Sequence, residues 1–511
     1  MNPTIPSWST IHLVSPELAL VVGMCAVILT PFIRRESVTL HTFTAVLALV
    51  LGLLATGATL AGADKPVLGG MLTIDPFSQF FKMLLMLFTL LVVGQWVIAG
   101  RDRQHPHDTP DFLCLLLGAT FGMALMASAS NLLMIFVAVE ASSYPSYALA
   151  GFRKNTRLGA EGAMKYVVFG AAASAVMLYG MSLMYGSTGS LDLATIAAQV
   201  SGGHAVSPLF AVGLMAMLVG VAFKLSAVPL HFWCPDVFQG APIEVTTFLS
   251  VASKGAAVCL LLRIAQTFGF FGGLPGLAVG LAILGGVTAT WGNLVAYHQT
   301  NIKRLLAYSS IAHAGYMIMA VALAADTRGV APVQSVAGAI LFYLVVYLFM
   351  NLGAFTVAAV IARAPGGSED IRDYAGLAFR APLLTGLMVV FLLSLFGMPA
   401  LGGFMGKIYL AVSMFHTGGA VGFVLIAVLL VNTLISLYFY MRPVYYMVFV
   451  PAREARPAPV VSLLGMAILI VCLLGVLWTG LLPGNAGNLA HDYATLIVRP
   501  AANPAVAMAR K

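Results

Sequence analysis

The sequence predicts an all-α polytopic membrane protein of about 14 transmembrane helices, and three observations predict it. Of 511 residues, 60% are hydrophobic and 9% charged, whereas a soluble chain carries about 25% charged residues. The apolar residues form continuous runs, not the alternation expected of a membrane-barrel strand. At about 20 apolar residues per crossing, the runs fall at 13–32, 38–60, 75–99, 110–127, 129–150, 158–185, 206–232, 242–266, 275–296, 302–324, 332–362, 380–415, 420–447 and 461–483.

Several spans carry signals of their own. The N-terminus MNPTIPSWSTIHLV lacks the basic n-region of a cleaved signal, so the first span is expected to remain in the protein. The third opens at Asp75-Pro76, a helix start, and Lys82 within it reads as a snorkelling lysine. The fifth carries Glu140 in NLLMIFVAVEASSYPSYALAGF. The sixth opens with Glu161 and Lys165, whose spacing reads as an i,i+4 surface pair. The seventh holds Lys224, followed by His231 and Asp236 at its end. His231 and Asp236 could shape proton entry, though Asp236 beside Pro235 also suits a turn cap. The eighth places Glu244 in its first turn, where a carboxylate complements the helix dipole, and Lys254 at mid-span. A role for Glu244 in proton exit stays open. The tenth holds His313 among Ser309, Ser310 and Tyr316. It is a natural relay by its ordinary pKa, or else a hydrogen-bonded packing histidine. The twelfth carries Lys407. The segment 484–511 is polar and reads as a short extramembrane extension.

Glu140, Lys224, Lys254 and Lys407 are the informative residues. A charge at bilayer depth costs roughly 2.5–3.5 kcal/mol on insertion scales, so such residues face a bundle interior or a water-filled path and mark ion or proton routes. One acid and three lysines on separate helices point to a proton relay. Lysine suits the task because its ionisation responds to burial, whereas arginine stays charged. A buried lysine that gains or loses a carboxylate neighbour changes its hold on a proton by about 4–7 kcal/mol. One charge crossing 100 mV requires about 2.3 kcal/mol. A static ion pair between Glu140 and Lys224 is the competing reading, but it leaves Lys254 and Lys407 without a role.

Two of the helices read as broken. Pro229 follows Lys224 in FKLSAVPLH (223–231), and Pro399 with Gly397, Gly402 and Gly403 precedes Lys407. Proline removes a backbone donor and frees a carbonyl, which is tolerated at membrane depth where protein or water satisfies the freed groups. The breaks fall in spans seven and twelve. That spacing predicts two inverted five-helix repeats, each with a broken helix: residues 110–266 and 267–450, after three N-terminal helices (1–109) and before a last helix and tail (451–511). Ordinary proline kinks are the alternative.

Basic residues cluster after odd-numbered spans: Arg34, Arg35, Arg101, Arg103, Arg153, Lys154, Arg157, Lys303, Arg304, Arg363, Arg372, Arg380, Arg442, Arg453 and Arg456. Connections after even spans hold few, such as Lys65, Arg263 and Arg328. The positive-inside rule then places both termini on the non-cytoplasmic side of a membrane expected to be bacterial and cytoplasmic. The net charge of +8 is explained by this bias and does not point to nucleic acid. None of Cys25, Cys114, Cys234, Cys259 and Cys472 forms a CxxC, so their spacing predicts no zinc or iron–sulfur site. No P-loop or dinucleotide fingerprint is present. The driving energy must come from an ion gradient or a partner.

FKLSAVPLHFWCPDVFQGAP (223–242), FLSVASKGAA (248–257) and NIKRLLAYSSIAHAGYMIM (301–319) resemble signature stretches of the antiporter-like membrane subunits of respiratory complex I, and most of all its subunit N. EGAMKYVVFGAAASAVMLYGMSLMYGSTGS (161–190) fits the same subunit. The similarity runs from about residue 75 to 450. Subunit M resembles the chain too but typically carries Glu where Lys407 stands, and subunit L has a long lateral helix for which little chain remains here. The sequence departs from the family at Ile243-Glu244, where a Thr/Pro-like stretch is usual. The resemblance implies that Glu140 pairs with Lys224, that Lys254 is the central relay and that Lys407 is the terminal donor. It also implies that FMN, iron–sulfur clusters, NADH and quinone sit in partner subunits, with no cofactor or metal in this chain. The implied neighbours are subunits K and M and lipid. The alternatives are an Mrp-type cation/proton antiporter subunit and a membrane subunit of a related hydrogenase complex; an organic-solute permease would need a polar pocket that the sequence does not show.

Overall fold

The computed structural model describes residues 12–60, 65–99, 106–153, 156–201, 207–270, 275–326, 330–364, 367–417, 419–452 and 457–495. Lipid offers backbone groups no hydrogen bonds, so the chain satisfies them within helices. The long helices are α1 (Ser15–Ile33), α2 (Val38–Leu60), α3 (Pro76–Ala99), α4 (Thr109–Ser128), α5 (Leu132–Ala150), α6 (Arg157–Thr188) and, after the short α7 (Leu193–Ser201), α8 (Pro208–Leu225). A short helix α9 (Trp233–Gly240) precedes the eighth crossing, made of α10 (Ile243–Phe248), a π-helical turn (Leu249–Ser253) and α11 (Lys254–Phe270). Then come α12 (Pro275–Ala296), α13 (Ile302–Asp326), α14 (Val330–Arg363), the pair α15 (Pro382–Phe396) and α16 (Gly402–Thr417), α17 (Gly419–Phe449), α18 (Leu463–Leu481) and α19 (Pro483–Asp492). Among the described residues, thirteen helices are long and apolar enough to cross a membrane. The pair α15 and α16 makes the fourteenth crossing in two pieces, matching the predicted number. Helix starts follow the local chemistry: Asn131, Thr156, Ser207 and Ser462 each accept a hydrogen bond from a first-turn amide.

Burial sorts the helices into a centre and a rim. The apolar window of the eighth crossing is 100% buried and those of α13 and α14 are 94% buried, against 33% for α2 and 28% for α17. The three central helices carry Lys254 and His313 and lie beside the helices of Lys224 and Lys407. Two end faces follow from the alternating crossings. One carries the antiparallel hairpin Lys65–Val67/Leu72–Ile74, whose Leu72 also bridges to Ala129. The other, the basic face, carries Arg34, Arg35, Arg153, Arg304 and Arg372, with a backbone bridge from Asn301 to Asp370.

Four expectations are corrected. Lys82 does not snorkel: it is fully buried and ion-paired with Glu17 at 2.6 Å, so α1 supplies the counter-charge within the bundle. Arg263 belongs to α11, not to a connection. It is buried and holds Asp75 at 2.9 Å and the carbonyl of Ala127 at 2.8 Å. The seventh crossing stops at Leu225 instead of running to 232. The extension after the last span begins as helix α19, which packs its small residues Ala486, Gly487 and Ala490 inward; Gln334 of α14 donates to the carbonyl of His491. Arg101, Arg103, Lys154, Arg328, Arg453 and Arg456, used above for orientation, lie outside the described residues.

The Glu17–Lys82 pair predicts a specific stability pattern. Breaking a buried pair from one side strands the other charge, at about 3–5 kcal/mol. Lys82→Met alone should lower the thermal denaturation midpoint in detergent, and Glu17→Leu combined with Lys82→Met should recover most of the loss.

Candidate functional site

Both predicted breaks are present, and each leaves oxygens exposed beside a lysine. Helix α8 ends with Ser226 in the left-handed conformation (φ 56°), and the chain is non-helical until Trp233. The indole Nε1 of Trp233 donates to the freed carbonyl of Phe223 at 3.1 Å, and the amide of Val228 donates to Thr288 Oγ1 at 3.1 Å. Lys224, in the last turn of α8 and 1% exposed, donates from Nζ to Ser143 Oγ at 3.0 Å. In the second break Gly397 takes φ 98° and caps α15, a conformation that a side chain would strain. The carbonyl of Phe396 is thereby turned out and accepts from Lys407 Nζ at 2.6 Å. A Cβ on Gly397 would lie 3.3 Å from Lys407 Cδ, so glycine also makes room for the lysine. The lysines stand on opposite sides of their breaks: Lys224 precedes the first and Lys407 follows the second.

Lys254 begins α11 immediately after the π-helical turn. Such turns widen a helix locally and recur at functional sites. Its Nζ donates to Ser310 Oγ at 2.6 Å, with Cys234 Sγ at 3.8 Å and the ring of Phe238 at 5.8 Å. Ser310 sits on α13, His313 follows one turn later, and Tyr316 one turn after that. The Nζ of Lys407 lies over the Tyr316 ring at 5.4 Å. Three successive turns of α13 therefore connect the sites of Lys254 and Lys407, with His313 between them. The imidazole Nδ1 is 2.5 Å from the Tyr343 hydroxyl and Nε2 is 3.2 Å from that of Tyr440. Tyr440 also hydrogen-bonds Ser309, and Tyr316 accepts from Asn293 at 2.9 Å. Each hydroxyl here can both accept and donate a hydrogen bond.

Glu140 is placed differently from the expectation. It is half-buried on α5, and its carboxylate accepts a hydrogen bond from Ser174 of α6. Among the described residues no ion pair within 4 Å joins it to Lys224; Ser143, one turn along α5, meets the lysine instead. His231 is buried in the first break and accepts at Nε2 from Trp291 Nε1 at 2.8 Å. Asp236, outside the spanning segments at the basic face, joins Lys165 at 2.6 Å and Arg304 at 2.7 Å. The Glu161–Lys165 pair forms as expected, at 2.7 Å. Glu244 is fully buried in the first turn of α10. The sequence reading passed over Ser143, Ser174, Tyr343 and Tyr440, because a serine or tyrosine in an apolar run carries no periodic signal. It counted Lys303 only as surface charge, but Lys303 is buried and paired with Glu369 at 2.8 Å.

A many-spanning helical protein whose interrupted helices border an internal line of lysines is the class that this geometry defines. The family described as "NADH:quinone oxidoreductase/Mrp antiporter, TM" matches residues 129–436. NADH-quinone oxidoreductase subunit N of an Anaeromyxobacter species is 40% identical, over 93% of this chain and 95% of that protein. The protein of that name from Moorella thermoacetica is 37% identical, over 96% and 100%. The chain belongs to the NADH-quinone oxidoreductase subunit N family. A chain of respiratory complex I from Thermus thermophilus superimposes with TM-score 0.76 at 34% identity, over 93% of this chain and 99% of that one. A chain of the Mrp complex from a Dietzia species reaches TM-score 0.80 at 21% identity, over 96% and 98%, and shows the shared fold.

Asp236 makes a pH-dependent prediction. Burial pushes its carboxyl up, but hydrogen bonds and charge from Lys165 and Arg304 outweigh burial and hold it below the usual 3.8. A depressed carboxyl stabilises the fold above its unfolded value and loses that contribution as pH falls through the folded one. Asp236→Asn should therefore melt below wild type at pH 7, and the gap should close in melts taken at progressively lower pH, below about pH 4.

Proposed function

We propose that this chain is a proton-translocating membrane-arm subunit of an NADH:quinone oxidoreductase. The observation that carries the reading is the run of polar groups between Lys254 and Lys407, Ser310, His313 and Tyr316 on successive turns of one helix, buried at the centre of the bundle. Subunit N relatives at 37–40% identity over more than nine-tenths of the chain support the assignment. On this reading the chain carries no redox centre. NADH, FMN, iron–sulfur clusters and quinone belong to partner subunits, and the immediate neighbours are membrane subunits of the K and M type. The half-buried Glu140 lies on the outer wall of the chain, where a neighbouring subunit, and not lipid, has to cover it.

The proposed cycle uses the observed geometry. Conformational change launched by redox chemistry elsewhere alters the distance from Glu140 to Lys224 across Ser143. Closing the gap holds a proton on Lys224; opening it releases the proton across the first break toward Lys254. The Ser310–His313–Tyr316 face passes it on, and Lys407 discharges it toward the hairpin face. The two breaks occupy the fourth crossing of two successive sets of five, 110–266 and 267–450, which supports an inverted repeat in which each half opens to one side. The basic face is then cytoplasmic, and both termini lie outside a bacterial cytoplasmic membrane.

The test is NADH-driven proton uptake in inverted membrane vesicles, with NADH oxidation followed in parallel. Lys224→Ala should lower the protons taken up per NADH while the assembled complex stays present. Full stoichiometry in that variant would remove Lys224 from the coupling path.

A further inference from the structure

Glu244 is a buried carboxylate that the cycle above does not use. Its side chain is fully buried in the first turn of α10, ten residues before Lys254 on the same crossing. Three residues earlier, the carbonyl of Ala241 accepts from Lys303 Nζ at 3.0 Å. This anchors the buried ammonium at the start of α10, within electrostatic reach of the Glu244 carboxylate. Lys303 also holds Glu369 at 2.8 Å, and Glu369 reaches the half-exposed Arg153 at 3.6 Å and accepts from Asn301 at 3.3 Å. Two carboxylates and two cations therefore form a cluster of zero formal charge that runs from the water-facing Arg153 to the buried Glu244. With the Glu244 carboxylate charged, each buried charge of the cluster has a counter-charge; a proton taken up there leaves the cluster at +1 until it is passed on.

Beyond Glu244 the crossing is polar where a packing helix would be apolar. Thr247, Ser250 and Ser253 are each fully buried. Ser250 donates to the carbonyl of Thr247 at 2.7 Å and accepts from Asn351 of α14 at 2.9 Å, and the Ser253 hydroxyl makes no hydrogen bond to protein. Ten residues span roughly 15 Å of helix, too far for a direct transfer but divided by these hydroxyls into shorter steps. On α13, Lys303 and Ser310 are seven residues apart, two turns on the same face, so the cluster and the Lys254 partner share that face.

We infer that Glu244 is a second proton-loading group for Lys254, beside the hand-off from Lys224, taking protons from the basic face through the Arg153–Glu369–Lys303 cluster and delivering them to Lys254. The proton bound at the Glu244 carboxyl leaves to the Lys254 amine and is replaced from water through the cluster, so charge and atoms balance without a further reactant. This rests on the translocation reading above.

The experiment compares protons taken up per NADH oxidised in inverted vesicles carrying wild type, E244Q, E244D, K254A and the double variant E244Q/K254A, at matched content of assembled complex. E244Q should lower the stoichiometry, by no more than K254A does, E244D should restore it, and the double variant should fall no further than K254A alone. Wild-type stoichiometry in E244Q beside a loss in K254A overturns the loading role and leaves translocation standing. Wild-type stoichiometry in both K254A and Lys224→Ala overturns the translocation reading, and the loading role with it. If E244Q does not assemble, dicyclohexylcarbodiimide treatment of the wild-type complex decides. Modification mapped to Glu244 with parallel loss of uptake supports the loading role; an unmodified Glu244 overturns it.

Discussion

An ammonium group in hydrocarbon needs an oxygen within hydrogen-bond reach, and a helix that satisfies all its own carbonyls has none to spare. The architecture follows from how that need is met. The second break releases the Phe396 carbonyl to Lys407; a serine on an adjacent helix serves Lys224, and another serves Lys254. Where a lysine is instead given a carboxylate, as Lys82 is by Glu17, the result is a fixed ion pair. Hydroxyl and carbonyl partners bind an ammonium without adding a counter-charge, which leaves the proton free to depart. The difference in partner sets Lys224, Lys254 and Lys407 apart from Lys82.

The same economy shapes the centre of the bundle. Helix α13 is buried along nearly its whole length, yet it presents Ser309, Ser310, His313 and Tyr316 inward, each with a hydrogen-bond partner from a different helix. Buried polar networks of this kind tie α12, α14 and α17 to one register, because a shift of any helix would strand a donor at about 1–3 kcal/mol. The buried polar network therefore specifies the packing as well.

Charge is distributed by depth. At the basic face, Lys165 and Arg304 share Asp236, and Lys303 and Arg153 share Glu369. Near the hairpin face, Asp75 and Arg263 lock α3 to α11. Between these ends Lys224, Lys254 and Lys407 rest on neutral partners. Conformational change transmitted through the end clusters can thus alter the midplane without breaking a salt bridge there.

The sequence by itself determined the class, the number of crossings, the two breaks and the identity of the lysines. All of these follow from local chemistry: apolar run length, the missing proline donor, and the cost of a charge in lipid. It also marked His313, as a relay by its ordinary pKa or as a hydrogen-bonded packing histidine. Tertiary structure decided the partners. No periodicity says that Lys224 meets Ser143 and not Glu140, that Tyr343 and Tyr440 flank His313, or that Lys82 and Lys303 are buried. Contacts between residues 30 to 127 positions apart depend on which faces of long, uniformly apolar helices turn toward each other. A helix apolar on every side leaves that rotation unspecified until its few polar groups find one another in the folded bundle.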